Sequence, residues 1–492
     1  MELRREDAAR IARAGGKRAE QQALALFDRV AAQDLRIAEQ DERIAELAAK
    51  LEKLERRLGQ NSRNSSMPPS SDRGPQAPKR PARTRSERKQ GGQSGHQGHF
   101  RELVEDPDET IVVRPARCRK CGREFTDADP LVGKPWRHQV IDLPERVMVT
   151  TEHQMCKVCC PDCDAHTRAD LPAGVESGAF GPRLRATIVM LAVMMMSRRA
   201  IRTLLVDMFG AQISTGSIET ILKTCSDALK SPWEAIQRAV QAAEVAHADE
   251  TSWRRAGQRM WLWAALSATA ACYRIDNTRA RSAARALLGD FAGLLITDRY
   301  SVYDYLDPER RQACLGHLAR NFQAHAERDG PGAQHAAAIK AVLDEVMRAD
   351  TAARHTGASL AWHDGPGRQL HDRLMDAVEA GERCATPALA RLCATVLDIW
   401  PTLWNFTEHA DAEATNNRCE RAIRHAVLWR RTSNGTQTDE GERFIERILS
   451  IRETCRLNNQ PLHGYLVDVH QARLHGQPIP TPLPDSQQAQ AA

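Results

Sequence analysis

The feature that most constrains this chain is a seven-residue repeat over residues 23–58. Val30, Ile37, Ile44, Leu51 and Leu58 recur at every seventh position, and Leu26, Leu47 and Leu54 stand at the second seam position, which Gln33 and Gln40 interrupt. The positions between are rich in Glu, Arg, Asp and Lys, as on a solvent-facing coiled-coil surface, so residues 20–60 are expected to pair chains as a coiled coil. The repeat runs into NSRNSSMPPSSDRGPQAPKRPARTRSERKQGGQSGHQG, where almost nothing can pack a core, and a flexible basic linker is expected over 61–103. Residues 73–101 hold eight Lys/Arg against the single acid Glu87, a local charge of +7 that leaves −2 for the rest of the chain. Such a block suits a polyanion, with Lys79, Arg80, Arg83 and Arg85 as the candidate contacts.

The remaining length bounds the architecture. A chain of 492 residues corresponds to about three domains and can bury apolar cores without disulfides. Its longest apolar run, residues 186–196, is about half of what a bilayer crossing needs. Arg183, Arg185, Arg198 and Arg199 flank that run, so a buried helix is expected there. The opening MELRREDAAR has no apolar segment of a secretory signal, so a cytoplasmic protein is expected rather than a membrane or secreted one. The thirteen cysteines then read as reduced thiols or metal ligands.

Two C-x-x-C pairs fall within a module expected over 104–175. Cys118 and Cys121 form the first and Cys160 and Cys163 the second, and two such turns can present four thiolates tetrahedrally to a structural zinc ion. Cys156 and Cys159 overlap the second pair and offer an alternative.

Residues 179–232 read as helix, turn, helix. Gly210 suits the left-handed position that closes the first helix, and Ser214 or Thr215 could cap the second. This is the outline of a helix-turn-helix, whose second helix would enter the major groove of DNA. EVAHADETSW, RMWLWAALSATAACYRI and LLITDRY are β-branched and aromatic and read as strands. RQACLGHLARNFQAHAE reads as a helix, residues 326–404 as a helical insertion, and TNNRCERAIRHAVLWRR as a helix capped by Asn416 or Asn417.

Three acids on separate segments are candidates for one site: Asp249, Asp298 directly after LLIT, and Glu420. Hard oxygen ligands of this kind suit two Mg²⁺ ions, one activating a water or 3′-hydroxyl and the other steadying the leaving oxygen of a phosphodiester. Glu408 and Glu413 compete for the third position.

HADETSWRRAGQRMWLW, TDRYSVYDYL, RQACLGHLARNF and TNNRCERAIRHAVLWRRTSNGTQTDEGERF resemble the DDE transposases of the insertion-sequence-sixty-six family. NSSMPPSSD, GGQSGHQGH, the cysteine region and FGPRLRA follow in the same order. The resemblance implies an RNase H-like catalytic core, a mixed sheet with helices over 240–325 and 405–450, interrupted by the helical insertion and followed by a C-terminal segment over 451–492. It implies that Asp249, Asp298 and Glu420 are the catalytic ligands of two Mg²⁺ (or Mn²⁺) ions. It places His317 of Cys314-Leu-Gly-His317 near the scissile phosphate, and Arg421, Arg424, Arg430 and Arg431 where they could contact DNA phosphates. In the cysteine region CPDC followed by LPAGV is closer to the usual form, which favours Cys160 and Cys163.

The expectation is therefore a multidomain α+β transposase. It would bind the terminal inverted repeats of its element as at least a dimer, cleave the strand ends and join the freed 3′-hydroxyl to target DNA. Nucleoid association in a bacterium and accessory proteins of the same element are expected with it. A catalytically silent DNA-binding regulator and an RNase H-like nuclease of different biology are the alternatives.

Overall fold

A computed structural model describes residues 16–58, 60–61, 64, 103–144, 147–328, 330–357 and 360–485. Lys79, Arg80, Arg83 and Arg85 lie outside the described residues. The chain divides into two compact units. One comprises residues 1–79, 174–198 and 216–492, the other residues 80–173 and 199–215.

The larger unit begins with helix α1, Lys17–Leu58, 42 residues long as the repeat predicts. Val30, Ile37, Ile44, Leu51 and Leu58 are all exposed along it, so the seam is not covered by any of the described residues. The smaller unit contains one short antiparallel pair, β1 (Lys157–Cys159) with β2 (His166–Arg168). The apolar run forms α2, Pro182–Val193, which buries Ala186, Ile188, Val189, Ala192 and Val193.

The expected helical pair is present as α3 (Arg198–Phe209) and α4 (Thr215–Ala228). Gly210 closes α3 at φ +64°, with its N–H on Val206 O and the Ala211 N–H on Leu205 O. The unit boundary falls within this pair, α3 going with the cysteine region and α4 with the larger unit.

After α5 (Lys230–Gln241) the chain enters a five-stranded mixed sheet. Its strands are β3 (Val245–Arg255), β4 (Gln258–Leu266), β5 (Ala271–Asp276), β6 (Leu294–Thr297) and β7 (Arg311–Ala313). Their order in space is β5-β4-β3-β6-β7. The first three pair antiparallel, and β6 and β7 join parallel to β3 after the crossover helix α6, Arg281–Leu288. β3 and β4 meet in a two-residue turn, Ala256-Gly257, with both residues at positive φ as a primed hairpin turn demands. The loop after the later helix docks there: Thr436 N–H reaches Arg254 O at 2.9 Å and Ala256 N–H reaches Thr436 O at 2.8 Å. Gly435 lets the two backbones meet, since a Cβ at that position would lie 2.1 Å from Arg254 O.

Residues 311–313 correct one expectation. They read as the start of a helix, yet they are buried as β7, with Leu295 opposite Arg311 and Thr297 opposite Ala313. A three-residue edge strand carries too little periodicity to stand apart from the helix that follows it.

Helix α7 (Leu315–Ala326) then leads into the insertion, α8 (Gly332–Thr356), α9 (Pro366–Glu382) and α10 (Pro387–Asp398). The insertion shares one apolar cluster with the sheet, in which Ile296 of β6 and Phe322 of α7 join Leu343, Leu374 and Leu389. Helices α11 (Asn417–Ser433), α12 (Asp439–Leu457) and α13 (Leu462–Leu474) complete the described chain.

Helix α12 crosses the boundary expected at residue 450 because it finishes the sheet. The free backbone N–H groups of edge strand β5 at Ala271, Tyr273 and Ile275 donate to Thr454 Oγ1 (3.1 Å), Ser450 Oγ (2.9 Å) and Glu446 Oε1 (2.7 Å). A period of two on the strand is matched to a period of four on the helix, and an exposed edge is closed without another strand.

Candidate active site

The acids are positioned by strand register. His247 stands opposite Ile296 in the parallel pairing of β3 and β6. Asp249 lies two residues beyond His247 on β3, on the same side of the strand, and Asp298 follows directly on Thr297, the last residue of β6. Glu420 approaches from the first turn of α11, which packs across β3 and β4. All three carboxylates are half-buried.

Their charges interact. Burial pushes the Asp249 carboxyl well above the usual carboxylate range, and repulsion from Glu250, Asp298 and Glu420 adds to it. The Glu250 N–H, 2.9 Å from Asp249 Oδ1, opposes the shift. Glu408 pairs with His363 at 3.2 Å, and Glu413 with Arg418 at 3.7 Å.

The loop after β6 is held from both sides. Tyr300 N–H donates to Asp298 Oδ1 at 2.9 Å, and Arg311 Nη2 donates to the carbonyls of Asp298 (3.1 Å) and Tyr300 (3.2 Å).

Besides the expected His317 there are two neighbours that the sequence did not mark, Arg320 and Arg279. Arg320 of α7 donates to Glu420 Oε1 at 2.8 Å, and His317 Nδ1 lies 3.6 Å from the same oxygen. Burial pushes the His317 imidazole down to about 4, so it is neutral near pH 7. Glu250 is buried against Arg279, whose Nε donates to Oε1 at 2.7 Å while its guanidinium stacks on Tyr300, 4.0 Å from the ring centroid. The only hint of Glu250 was its place beside Asp249, and nothing marked Arg320.

The expected cap is also used differently. α11 begins at Asn417 with Asn416 before it, but the Asn416 side chain makes no capping bond and is engaged with β3.

Of the candidate phosphate contacts, Arg421, Arg424 and Arg431 are exposed on α11. Arg430 is half-buried and taken up by β3, with Nη1 on Ser252 Oγ (2.6 Å) and Thr251 Oγ1 (3.2 Å).

In the smaller unit the two cysteine turns have the same construction. Cys118 N–H reaches Arg123 O (2.8 Å) and Gly122 N–H returns to Cys118 O (2.9 Å). Likewise Cys160 N–H reaches Ala165 O (2.8 Å) and Asp164 N–H returns to Cys160 O (3.0 Å). Gly122 and Asp164 both take positive φ, and the flanking pairs Arg117–Glu124 and Cys159–His166 are equivalent. Amide donors hold both leading thiols below their ordinary range: those of Cys121 and Lys120 at Cys118, and those of Asp162 and Cys163 at Cys160. Cys159 lies on β1 and Cys156 precedes it, its carbonyl taken by Ala169 N–H, so the alternative pair has no such turn.

Among the described residues, the group of three or more metal-ligating side chains whose atoms all lie within 4.8 Å of one another is Cys314, His317 and Glu420. The four cysteines of the two turns are not drawn together to that distance, and neither are Asp249, Asp298 and Glu420.

A mixed sheet with one acid within a strand and a second directly after its neighbour, and a helical insertion before the third acid, defines the class to which the sequence comparisons point. The model of the Transposase IS66 family matches residues 177–443, more than half of the chain. The protein belongs to that family. Residues 17–102 also match a family of unknown function, DUF6444. The uncharacterized protein y4hP of Sinorhizobium fredii is 23% identical over 408 residues, 76% of this chain and 73% of its own length. The uncharacterized protein y4jD of the same organism is 25% identical over 222 residues, 42% of this chain and 43% of its own length. No helix among the described residues is long and apolar enough to cross a membrane.

Proposed function

We propose that the protein is a DNA transposase of the DDE type, with an RNase H-like core in which Asp249, Asp298 and Glu420 hold two Mg²⁺ (or Mn²⁺) ions. The reading is carried by the placement of Asp249 on β3 and of Asp298 directly after the adjacent strand β6, and by the repulsion that Asp298 and Glu420 exert on Asp249. Carboxylates on three separate segments are a hard-oxygen donor set of the kind magnesium takes. Bound there, the ions would supply Lewis-acid activation of a nucleophilic oxygen and stabilise the leaving oxygen. Arg320 orients Glu420 from α7 through a 2.8 Å hydrogen bond, and His317 sits beside it as a candidate contact to the scissile phosphate. Arg421, Arg424 and Arg431 on the exposed side of α11 suit DNA phosphates.

In this reading Cys118, Cys121, Cys160 and Cys163 hold a structural zinc, supported by the shared turn geometry. The zinc module and the α3–α4 pair recognise the terminal inverted repeats. The basic linker adds salt-sensitive phosphate affinity, and α1 joins protomers through its exposed seam. The reaction is hydrolysis at each element end, then attack of the freed 3′-hydroxyl on a target phosphodiester, with accessory proteins of the element assisting.

The test is strand cleavage of DNA bearing the repeats that flank the gene. Wild type should cleave at the repeat end only with Mg²⁺ or Mn²⁺, and Glu420→Gln should bind the same DNA without cleaving it. Cleavage that survives in Glu420→Gln would exclude Glu420 as a ligand.

A further inference from the structure

We propose that Asn416 is a positioning residue that fixes Glu420 relative to Asp249, an inference that rests on the reading of those carboxylates as metal ligands. Asn416 is fully buried and bonds to three separate segments. Its backbone N–H donates to Cys314 Sγ at 3.1 Å, where β7 gives way to α7. Its side-chain Nδ2 donates to Ala248 O at 2.8 Å, one residue before Asp249. Its Oδ1 lies 3.1 Å from His247 Nδ1. Its carbonyl accepts the Glu420 N–H at 3.1 Å, the first bond of α11.

The bonding explains the residue type. Ala248 O can only accept, so the amide nitrogen must face it. The amide oxygen is thereby left for His247, whose Nδ1 must carry the hydrogen. A residue at the start of a helix ordinarily turns its side-chain oxygen to the amides of the next turn. Asn416 makes no such bond. It spends both ends of its side chain on β3, so the start of α11 is referenced to the backbone beside Asp249. Glu420 lies one turn further along the helix, on the same face as Asn416. A shift of Asn416 would therefore move the Glu420 carboxylate with respect to the other two acids.

The experiment uses the full chain and reads Mn²⁺ binding from the loss of free-ion EPR signal, with Glu420→Gln as reference. DNA binding and cleavage are measured alongside, per folded molecule. Asn416→Ala removes both side-chain bonds. Asn416→Asp keeps an oxygen for His247 and is as good a helix cap as Asn, but it has no donor for Ala248 O. The positioning role predicts that both variants weaken Mn²⁺ binding and cleavage about 10–100-fold while DNA affinity holds. Wild-type Mn²⁺ affinity in both variants would overturn it, as would a loss in Asn416→Ala that Asn416→Asp restores, since capping alone would then explain the residue. If neither variant folds, the Cys314 link is read instead. Cys314→Ala should weaken Mn²⁺ binding and Cys314→Ser should restore it, and equal affinity in the pair overturns the role. Mn²⁺ binding in wild type that Glu420→Gln does not change would remove the underlying reading of the acids, and the positioning role with it.

Discussion

The sheet core and the cysteine region solve the folding problem with different means. In the core the large side chains are inside: Trp253 and Trp263 are 0% and 1% exposed, and Phe322 is fully buried. In residues 103–173 the large apolar side chains are outside: Trp136 is 86% exposed, Val149 90% and Val132 94%. The regular strands described in that region are the three-residue pair β1 and β2. A segment of about 70 residues with so little buried apolar surface needs another source of stability, and ligand turns built around thiols can provide it. Apolar burial specifies the core, and local backbone geometry around two sulfur pairs specifies the cysteine region.

The largest expected effect separates the two outright. Chelation, or Cys160→Ser, should release zinc and abolish hydrogen-exchange protection in residues 103–173, while Cys156→Ser keeps the metal. Structural zinc contributes an apparent ~10–16 kcal/mol in small metallo-domains, so the loss should be complete for this region. The core unfolding transition should stay where it was. A core that melts together with the cysteine region would end the distinction.

The next effect concerns acid and is read on the core transition with metal already removed. His470 of α13 is fully buried beside Arg185 and Arg473, and burial holds its imidazole down at about 4. Between about pH 6.5 and 4 the unfolded chain takes up a proton that the folded chain refuses, so stability falls as pH falls through that window. Its share is up to about 3 kcal/mol, and His470→Leu should flatten the core's stability profile between pH 7 and 4. An unchanged profile would place the acid sensitivity elsewhere.

A smaller loss tests the closure of the sheet edge. Ser450→Ala strips the acceptor from the buried Tyr273 N–H and should cost the core about 1–3 kcal/mol in chemical denaturation, leaving zinc content untouched. A cost below about 0.5 kcal/mol would mean that water satisfies the strand. The smallest change is a gain: Ala256 sits at φ +47°, where Asn is more at ease, so Ala256→Asn should stabilise the core by about 0.5 kcal/mol. Destabilisation would show that the hairpin turn depends on the Ala256 side chain.

How much could be read in advance follows from the range of the signals. The repeat in α1, the alternation and β-branching of β3 to β6, the glycine closing α3 and the helical insertion are local patterns, and each element formed close to where its pattern lies. Residues 311–313 were misread because a three-residue strand has no period to detect. The pairing of α12 with the sheet edge was not legible because Glu446, Ser450 and Thr454 look like ordinary helix residues until β5 lies beside them. Asn416 was legible as a helix start, but the partners of its side chain were not.

The sequence by itself determined the kinds of element, the family, and the residue types able to hold metal, because side-chain chemistry and short-range periodicity are written into consecutive positions. Only the tertiary structure decided that Asp298 follows the strand beside the one that carries Asp249, that Glu420 acts electrostatically on Asp249, and that Arg320 and His317 stand beside Glu420. Those relations join residues separated by 49 (249 to 298) to 171 (249 to 420) positions, and they arise from strand pairing and helix docking, which no local pattern encodes.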